Sequence, residues 1–405
     1  MSGRPFAWTL EAELVVWCAR TVVSEAHQAR IRHRVQASLD WAVLFEMARY
    51  HGVIPLLYRT LAALCADLVP AETLARLRQK TQAGALLNHS LAQELGSLCE
   101  AFDKQGVPVI PIKGATLALS AYGDVTLRDF NDMDLLIPKR AIEEARAILL
   151  ARGYERKDPS SEPGKKHDEG PYHVFIKKRT LFRVDLQWVM AHEHFTFQMD
   201  RPEFWAQRMP VRLGNKMVQG LAPEELLIIL CVHGSKHAWE QLKWVCDVAE
   251  LLGSHPDLDW ERIFSHASTW GCRRLLYIGL ALAQLVLDAP LPEGVRARYT
   301  ADRAVQMLSA RMPATLLADP RAGVHEQHAV ALYFALKDSW WEQWRFGLVL
   351  CRDASPLVMS PPAWLPSRSS LLYVSRLIWP CQWAVRSLIP APIRAALNRW
   401  VEQGG

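Results

Sequence analysis

The sequence predicts an α+β fold, in which a small mixed sheet with flanking helices is embedded in a mainly α-helical chain. Three observations carry this expectation. Leu, Ala, Val and Trp recur at three- and four-residue spacing before about residue 105 and again after Pro223. Between those stretches, β-forming and helical runs alternate as strand, helix, strand, helix, which implies a mixed sheet. The later run LFRVDLQWV then alternates apolar and polar residues with a period of two.

The elements follow in order. Residues 1–105 read as a helical region with Pro70 as its clearest break. GVPVIPIKG reads as a short strand, because Val107, Val109, Ile110 and Ile112 favour extended backbone and Gly106 and Gly114 bound them. Helical composition resumes over 115–122, and a loop runs from Gly123 to Asn131. DMDLLIP then reads as a buried strand, followed by an amphipathic helix over Lys139 to Arg152. The charged, Pro- and Gly-containing segment 155–171 reads as an exposed loop, with Lys165 and Lys166 read as solvated charges in preference to guides for a triphosphate. YHVFIKK and LFRVDLQWV form two more strands joined tightly at Arg179 and Thr180. Pro223, Glu224 and Glu225 suit the first turn of a helix. These boundaries divide the chain into 1–105, a core at 106–220, a helical domain at 221–330 completing the cleft, and a Trp/Arg-rich helical region at 331–405.

With 405 residues, half of them hydrophobic and 22% charged, core burial is not limiting. The net charge of +5 comes without a dense Lys/Arg block, so a nucleic-acid partner is not indicated, while a local positive cluster for a phosphorylated substrate is allowed. The eight cysteines are scattered without a CxxC pair, as expected of buried thiols in a reducing compartment. Glu11 and Glu13 interrupt any secretory apolar run, and Arg376, Pro380 and Arg386 interrupt Leu371 to Ile389. A cytoplasmic protein is expected.

Asp132 and Asp134 are two apart on a predicted strand, so both carboxylates leave one face within reach of a shared cation. Hard oxygen ligands of this kind suit magnesium. On LFRVDLQWV, Phe182, Val184, Leu186 and Trp188 take one face, and Arg183, Asp185 and Gln187 the other. If the two strands pair, Asp185 joins the first two aspartates, and such a cluster needs cations because like charges raise each other's pKa. Phosphoryl and nucleotidyl transfer use two ions about 4 Å apart held by such carboxylates. Lys113 and Gly114 end the first strand where a helix opens at Ala115 and Thr116, so backbone N–H groups could meet a phosphate. Arg128, just ahead of the aspartates, could neutralise a leaving pyrophosphate.

The stretch PIKGATLALSAYGDVTLRDFNDMDLLIP, with RVDLQWV after it, resembles the uncharacterised nucleotidyltransferase-like family of bacteria within the polymerase-beta superfamily. The resemblance runs from HGVIPLLYRTL to HGSKHAWEQLKWVCDVAELL, over half the chain. It implies a nucleotidyltransferase sheet, a nucleoside triphosphate substrate such as ATP, and two Mg2+ ions with Mn2+ as the alternative. Asp132 and Asp134 would bind both ions, and Asp185 one of them while orienting or deprotonating an acceptor hydroxyl. Lys113, Gly114 and Thr116 would hold the nucleotide phosphates. Most of the superfamily has Gly-Ser where this chain has Gly114 and Ala115; the Lys-Gly form resembles the abortive-infection toxin branch, with Thr116 left to supply a hydroxyl.

His233, His237, Glu240, Trp244 and Asp247 fall on one face if a single helix runs through them. The face can be a pocket wall, with His233, His237 and Asp247 lining it, or a hydrogen-bonded seam, and the seam is weighed slightly higher. The histidine spacing also fits zinc, but Gly234 stands where a zinc hydrolase motif carries glutamate, so zinc is not expected. Trp340, Trp341, Trp344, Trp364, Trp379, Trp383 and Trp400 lie among spaced arginines. They are read as core aromatics with solvated charges in preference to a membrane-surface segment.

The expected activity is transfer of a nucleoside monophosphate from a triphosphate to a hydroxyl or phosphate acceptor, on a small molecule, a peptide or a protein. Two rivals stand beside it. A metal-dependent glycosyltransferase would use Asp132 and Asp134 but has no special need of Asp185, and a non-catalytic nucleotide-binding scaffold would keep the fold without the chemistry.

Overall fold

Short polar residues set the first helix starts: Thr9, Ser24 and Asp40 each accept a backbone N–H from the first turn of α1 (Leu10–Cys18), α2 (Glu25–Val35) and α3 (Trp41–Tyr50). A computed structural model of the chain describes residues 8–157, 172–190, 197–199, 201–317 and 335–338. After α4 (Ile54–Leu64), Pro70 leads into the long α5 (Ala71–Lys104), whose buried Asn88, Leu91, Leu95, Leu98 and Phe102 recur at helical spacing. Residues Met1–Gly323 form one compact unit and Val324–Gly405 a second, and all the elements named here lie in the first. The seven C-terminal tryptophans, Lys165 and Lys166 lie outside the described residues.

The chain is α+β, as its pattern predicts. Strands β1 (Ile110–Pro111), β2 (Asp132–Leu136), β3 (Tyr154–Arg156), β4 (Tyr172–Lys177) and β5 (Arg183–Gln187) form one mixed sheet in the order β1-β2-β5-β4-β3. Only β2 and β5 run parallel; the other neighbours are antiparallel. Helices α6 (Ala115–Tyr122) and α7 (Ile142–Ala151) connect the early strands. Met133 and Leu135 of β2, Phe175 of β4, and Val184 and Leu186 of β5 point into a core shared with α5 and α7.

That core fixes the register. A slip of one residue would expose Val184 and Leu186, both fully buried, and turn Asp185 into the apolar layer. Lost burial alone would cost roughly 1.5–3 kcal/mol for each apolar side chain. The opposite face of the sheet is thereby left to the polar residues.

Beyond the sheet, β6 (Val189–Met190) pairs β7 (Phe197–Gln198), α8 (Pro202–Ala206) follows, and β8 (Arg208–Leu213) and β9 (Lys216–Leu221) form a hairpin. Helices α9 (Pro223–Lys236), α10 (Leu242–Ser254), α11 (Trp260–Thr269) and α12 (Arg273–Leu287) then pack together, with Leu227, Ile228, Val245, Val248, Ile263, Leu276 and Leu280 buried. Three short helices, α13 (Glu293–Thr300), α14 (Arg303–Ser309) and α15 (Met312–Leu316), follow. None of the described helices is long and apolar enough to cross a membrane.

Four local expectations are corrected. The strand expected from Val107 to Ile112 is only Ile110–Pro111, since Pro108 and Pro111 offer the ladder no N–H. Glu155 and Arg156 belong to β3, paired with β4, and not to the loop after it. The β8–β9 hairpin was not expected, because Pro210 and Gly220 inside its strands weaken the β signal. Finally, no continuous helix joins His233 to Asp247: α9 stops at Lys236 and α10 begins at Leu242.

The stop has a steric cause. Ala238 and Trp239 turn with φ of 49° and 57°, a left-handed conformation costing roughly 1–2 kcal/mol per residue. Burial of the Trp239 ring offsets it. Trp239 is 1% exposed, its N–H reaches Gly234 O at 2.8 Å, and its indole N–H reaches Ser235 Oγ at 3.1 Å.

Candidate active site

The alternation of β2 and β5, combined with their parallel pairing, brings the polar residues of both strands to one face. Asp134 lies beside Asp185 and Asp132 beside Arg183, and neighbouring strands are about 4.8 Å apart. Asp134 and Asp185 are each 8% exposed. Burial first, and then the charge of Asp134, raises the pKa of both Asp132 and Asp185; at Asp185 the Arg183 hydrogen bonds work against the rise.

Each buried carboxylate has a cation or donor of its own. Lys113 Nζ lies 3.1 Å from Asp134 Oδ2, and Gln187 Nε2 donates to Asp134 Oδ1 at 2.6 Å. Arg183 grips Asp185 with two bonds of 2.6 and 2.7 Å. Asp132, the most exposed of the three, accepts no hydrogen bond among the described residues. Among those residues, no three His, Cys, Asp or Glu side chains close around one point in metal-ligating geometry. The donor set is nevertheless three hard carboxylates on adjoining strands, two of them with pKa raised by burial and mutual repulsion, which fits a hard divalent ion taking the place of Lys113 and Arg183.

Lys113 precedes Gly114, which starts α6 with φ of 60° and ψ of −125°. A side chain there would be strained, and its Cβ would lie 3.4 Å from Asp132 O. Thr116 is buried and its hydroxyl donates to Lys113 O at 2.9 Å, so in this arrangement it braces the turn that carries the lysine.

Arg128 does not face open space. Its Nε and Nη2 donate to Oδ1 and Oδ2 of Asp247 at 2.7 and 2.8 Å, and Tyr122 Oη donates to Asp247 Oδ1 at 2.7 Å. Asn88 of α5 donates to Val125 O and Arg128 O, both at 2.8 Å. The loop leading into β2 is therefore fastened from α5 on one side and α10 on the other.

The α9–α10 turn supplies the far side. Lys113 Nζ lies 3.3 Å from His233 Nδ1, the rings of His233 and His237 meet edge to face, and His237 stacks on Trp244 at 4.8 Å. His233 and His237 thus meet in space beside Trp244 although a turn interrupts the helix, while Asp247, further along α10, is engaged with Arg128 and Tyr122. Burial and then Lys113 push the pKa of His233 down, and burial and then Lys236 push that of His237 to about 3, so both rings are neutral. Lys236 and Lys243 are half-buried at the two ends of the same turn, each with its pKa lowered chiefly by burial.

Sequence reasoning placed Arg183 and Gln187 on the face of Asp185 without giving them a role, and it missed Lys236, Lys243, Asn88 and Tyr122. The four-residue step from Lys243 to Asp247 was the available signal for one of them. A surface cleft of about 550 Å3 beside Trp260, Asp288 and Arg296 contains none of these residues.

A family model described as "Uncharacterised nucleotidyltransferase" matches residues 37–288. Among solved structures, a crystal structure of ANT(2")-Ia in complex with adenylyl-2"-tobramycin is 16% identical over 52% of this chain and 98% of its own, with a TM-score of 0.28. An antigenic nucleotidyltransferase-like protein from Paracoccidioides brasiliensis is 16% identical over 50% of this chain and 93% of its own, with a TM-score of 0.34. Overlaps that loose support no inference about substrate. No curated protein matches the chain.

Proposed function

Since the chain belongs to the uncharacterised nucleotidyltransferase family, whose model covers well over half of it, we propose that it transfers a nucleoside monophosphate from a nucleoside triphosphate to a hydroxyl or phosphate acceptor. The observation that carries this reading is the parallel register of β2 and β5, which sets Asp134 beside Asp185 with Asp132 on the same face.

In this reading, Asp132 and Asp134 hold two divalent ions, magnesium or manganese, and Asp185 holds one. Such ions supply positive charge for the α-phosphate and the departing pyrophosphate. Asp185, whose pKa is raised chiefly by burial, orients the acceptor hydroxyl and takes its proton as the acceptor oxygen bonds to the α-phosphorus. The bond from that phosphorus to its bridging oxygen breaks, and pyrophosphate leaves with the electron pair. Lys113 and the Gly114 turn present positive charge and backbone N–H groups to the phosphates, with Thr116 bracing the turn. Arg128 acts at one remove: bound to Asp247, it places positive charge near Asp132 and fixes the entry to β2.

The region from 106 to 220 supplies the carboxylates, and that from 221 to 330, with His233, His237 and Asp247, supplies the wall. The acceptor class spans small molecules, peptides and protein side chains. A cytoplasmic location accords with six free, buried cysteines among the described residues.

The direct test incubates the full chain with each α-labelled nucleoside triphosphate and magnesium, beside Asp132→Ala. Label transferred with release of pyrophosphate by the wild type alone is the expected result. Equal labelling by both proteins removes these residues from the reaction.

A further inference from the structure

Resting on that reading, we infer that Lys243 receives the β- and γ-phosphates of the nucleotide, and that the corner Tyr50–Gly52 between α3 and α4 holds it in position. The start of α10 is tied to this corner at three successive residues. Gln241 Nε2 donates to Tyr50 O at 3.0 Å, Leu242 N to His51 Nδ1 at 3.2 Å, and Lys243 N to His51 O at 3.1 Å. The lysine stem then crosses Gly52, where an added Cβ would come within 2.7 Å of Lys243 Cδ. Gly52 has a φ of 66°, so both the backbone and the space require glycine.

The register of α10 shows which residues the lysine has for neighbours. Lys243 is one turn ahead of Asp247, which holds Arg128, and next to Trp244, which stacks on His237. Arg128, Asp129, Asp247 and Asp132 all act on its charge through space. Yet the half-buried ammonium enters no ion pair or hydrogen bond among the described residues.

A cation withdrawn from water without a partner costs stability unless an anion arrives to meet it. The other cations close to the aspartates are engaged: Lys113 with Asp134, Arg183 with Asp185, Arg128 with Asp247, and Lys236, which feels Asp134 and Asp185, is not without a partner. Lys243 therefore has charge to spare within electrostatic reach of Asp132, near which transfer would generate pyrophosphate, and an ammonium is a suitable point charge for phosphate oxygens.

The test uses the full chain in magnesium, with pyrophosphate, each of the four common ribonucleoside triphosphates and the matching monophosphates as probes, read by calorimetry and by melting. Lys243→Met and Lys243→Gln are expected to melt at or above the wild-type temperature without ligand. They should bind pyrophosphate and triphosphate about tenfold or more weakly, and bind monophosphate as the wild type does. Gly52→Ala should reproduce the selective loss by displacing the stem; unchanged pyrophosphate binding in that variant overturns the positioning role of the corner. Wild-type affinity in both Lys243 variants overturns the inference alone. So does an equal loss for monophosphate, which would mean that the lysine serves the α-phosphate or the shape of the site, and so does a lowered melting temperature. If the wild type binds none of the probes, the proposed function falls together with the inference.

Discussion

Arg128 and Asp247, 119 residues apart, form a two-pronged ion pair in which both side chains are almost wholly buried. The pair joins the loop entering β2 to helix α10, and so sets the distance between the acidic face and the helical wall. Breaking it from one side leaves a buried charge alone. Asp247→Ala is expected to lose about 3–5 kcal/mol of stability, measured by urea unfolding. Arg128→Met with Asp247→Met should recover most of that while nucleotide transfer stays reduced, because the positive charge near Asp132 is gone. Full activity in a stable double variant would show that the pair has no part in the chemistry.

Asp132 should reveal a conflict between stability and function. Its pKa is raised by burial and by Asp134 and Asp185, so the folded chain binds that proton more tightly than the unfolded chain does. The stability gained from the proton is present at low pH and is lost as pH rises through the raised pKa. Above that raised pKa the ionised carboxylate therefore opposes folding. Asp132→Asn is expected to melt higher than the wild type without metal and to transfer nucleotide about 100-fold more slowly or worse. A lower melting temperature would mean that Asp132 is a structural partner.

The face of the sheet was legible because period two leaves no choice once Val184 and Leu186 must be buried: Asp185 then has to leave on the other side with Arg183 and Gln187. What the pattern could not carry was which strands become neighbours. Asp134 meets Asp185 only through a parallel pairing across 50 residues, and the bond from Arg128 to Asp247 spans more than twice that. The same limit explains the helix wrongly drawn through residues 233 to 247. Three- and four-residue spacing persists across the turn, and only the packing of Trp239 against Gly234 shows that the chain stops there.

His51 gives the fold an acid limit. It is fully buried, burial holds its pKa at about 4, and its Nδ1 accepts the Leu242 N–H, so it is neutral in the folded chain. An ordinary histidine takes up its proton near pH 6.5, so between there and pH 4 the unfolded chain binds more protons than the folded one. Stability is complete above about pH 6.5 and falls by about 3 kcal/mol as pH drops through 4. His51→Asn can keep an acceptor for Leu242 but does not titrate. Melting temperature followed from pH 7.5 to 4 should decline less steeply in this variant; parallel curves would assign the acid limit to other groups.

Gly234 is where the turn carrying His237 and Lys243 is most easily damaged without touching a charge. A Cβ at that position would lie 2.5 Å from Trp239 Cζ3 and Cη2, and the ring cannot retreat toward α12, because Gly279 is itself closely faced by Trp239 and Cys231. Overpacking of a rigid core usually costs about 1–3 kcal/mol, and here the strain must displace either the ring or the left-handed turn. Gly234→Ala should therefore lose stability in urea and also shift the stacked pair His237 and Trp244. Tryptophan fluorescence of the folded variant should change, and its triphosphate affinity should fall. A variant with native fluorescence and native affinity would show that the turn can absorb a methyl group, and that the geometry of the wall does not depend on Trp239.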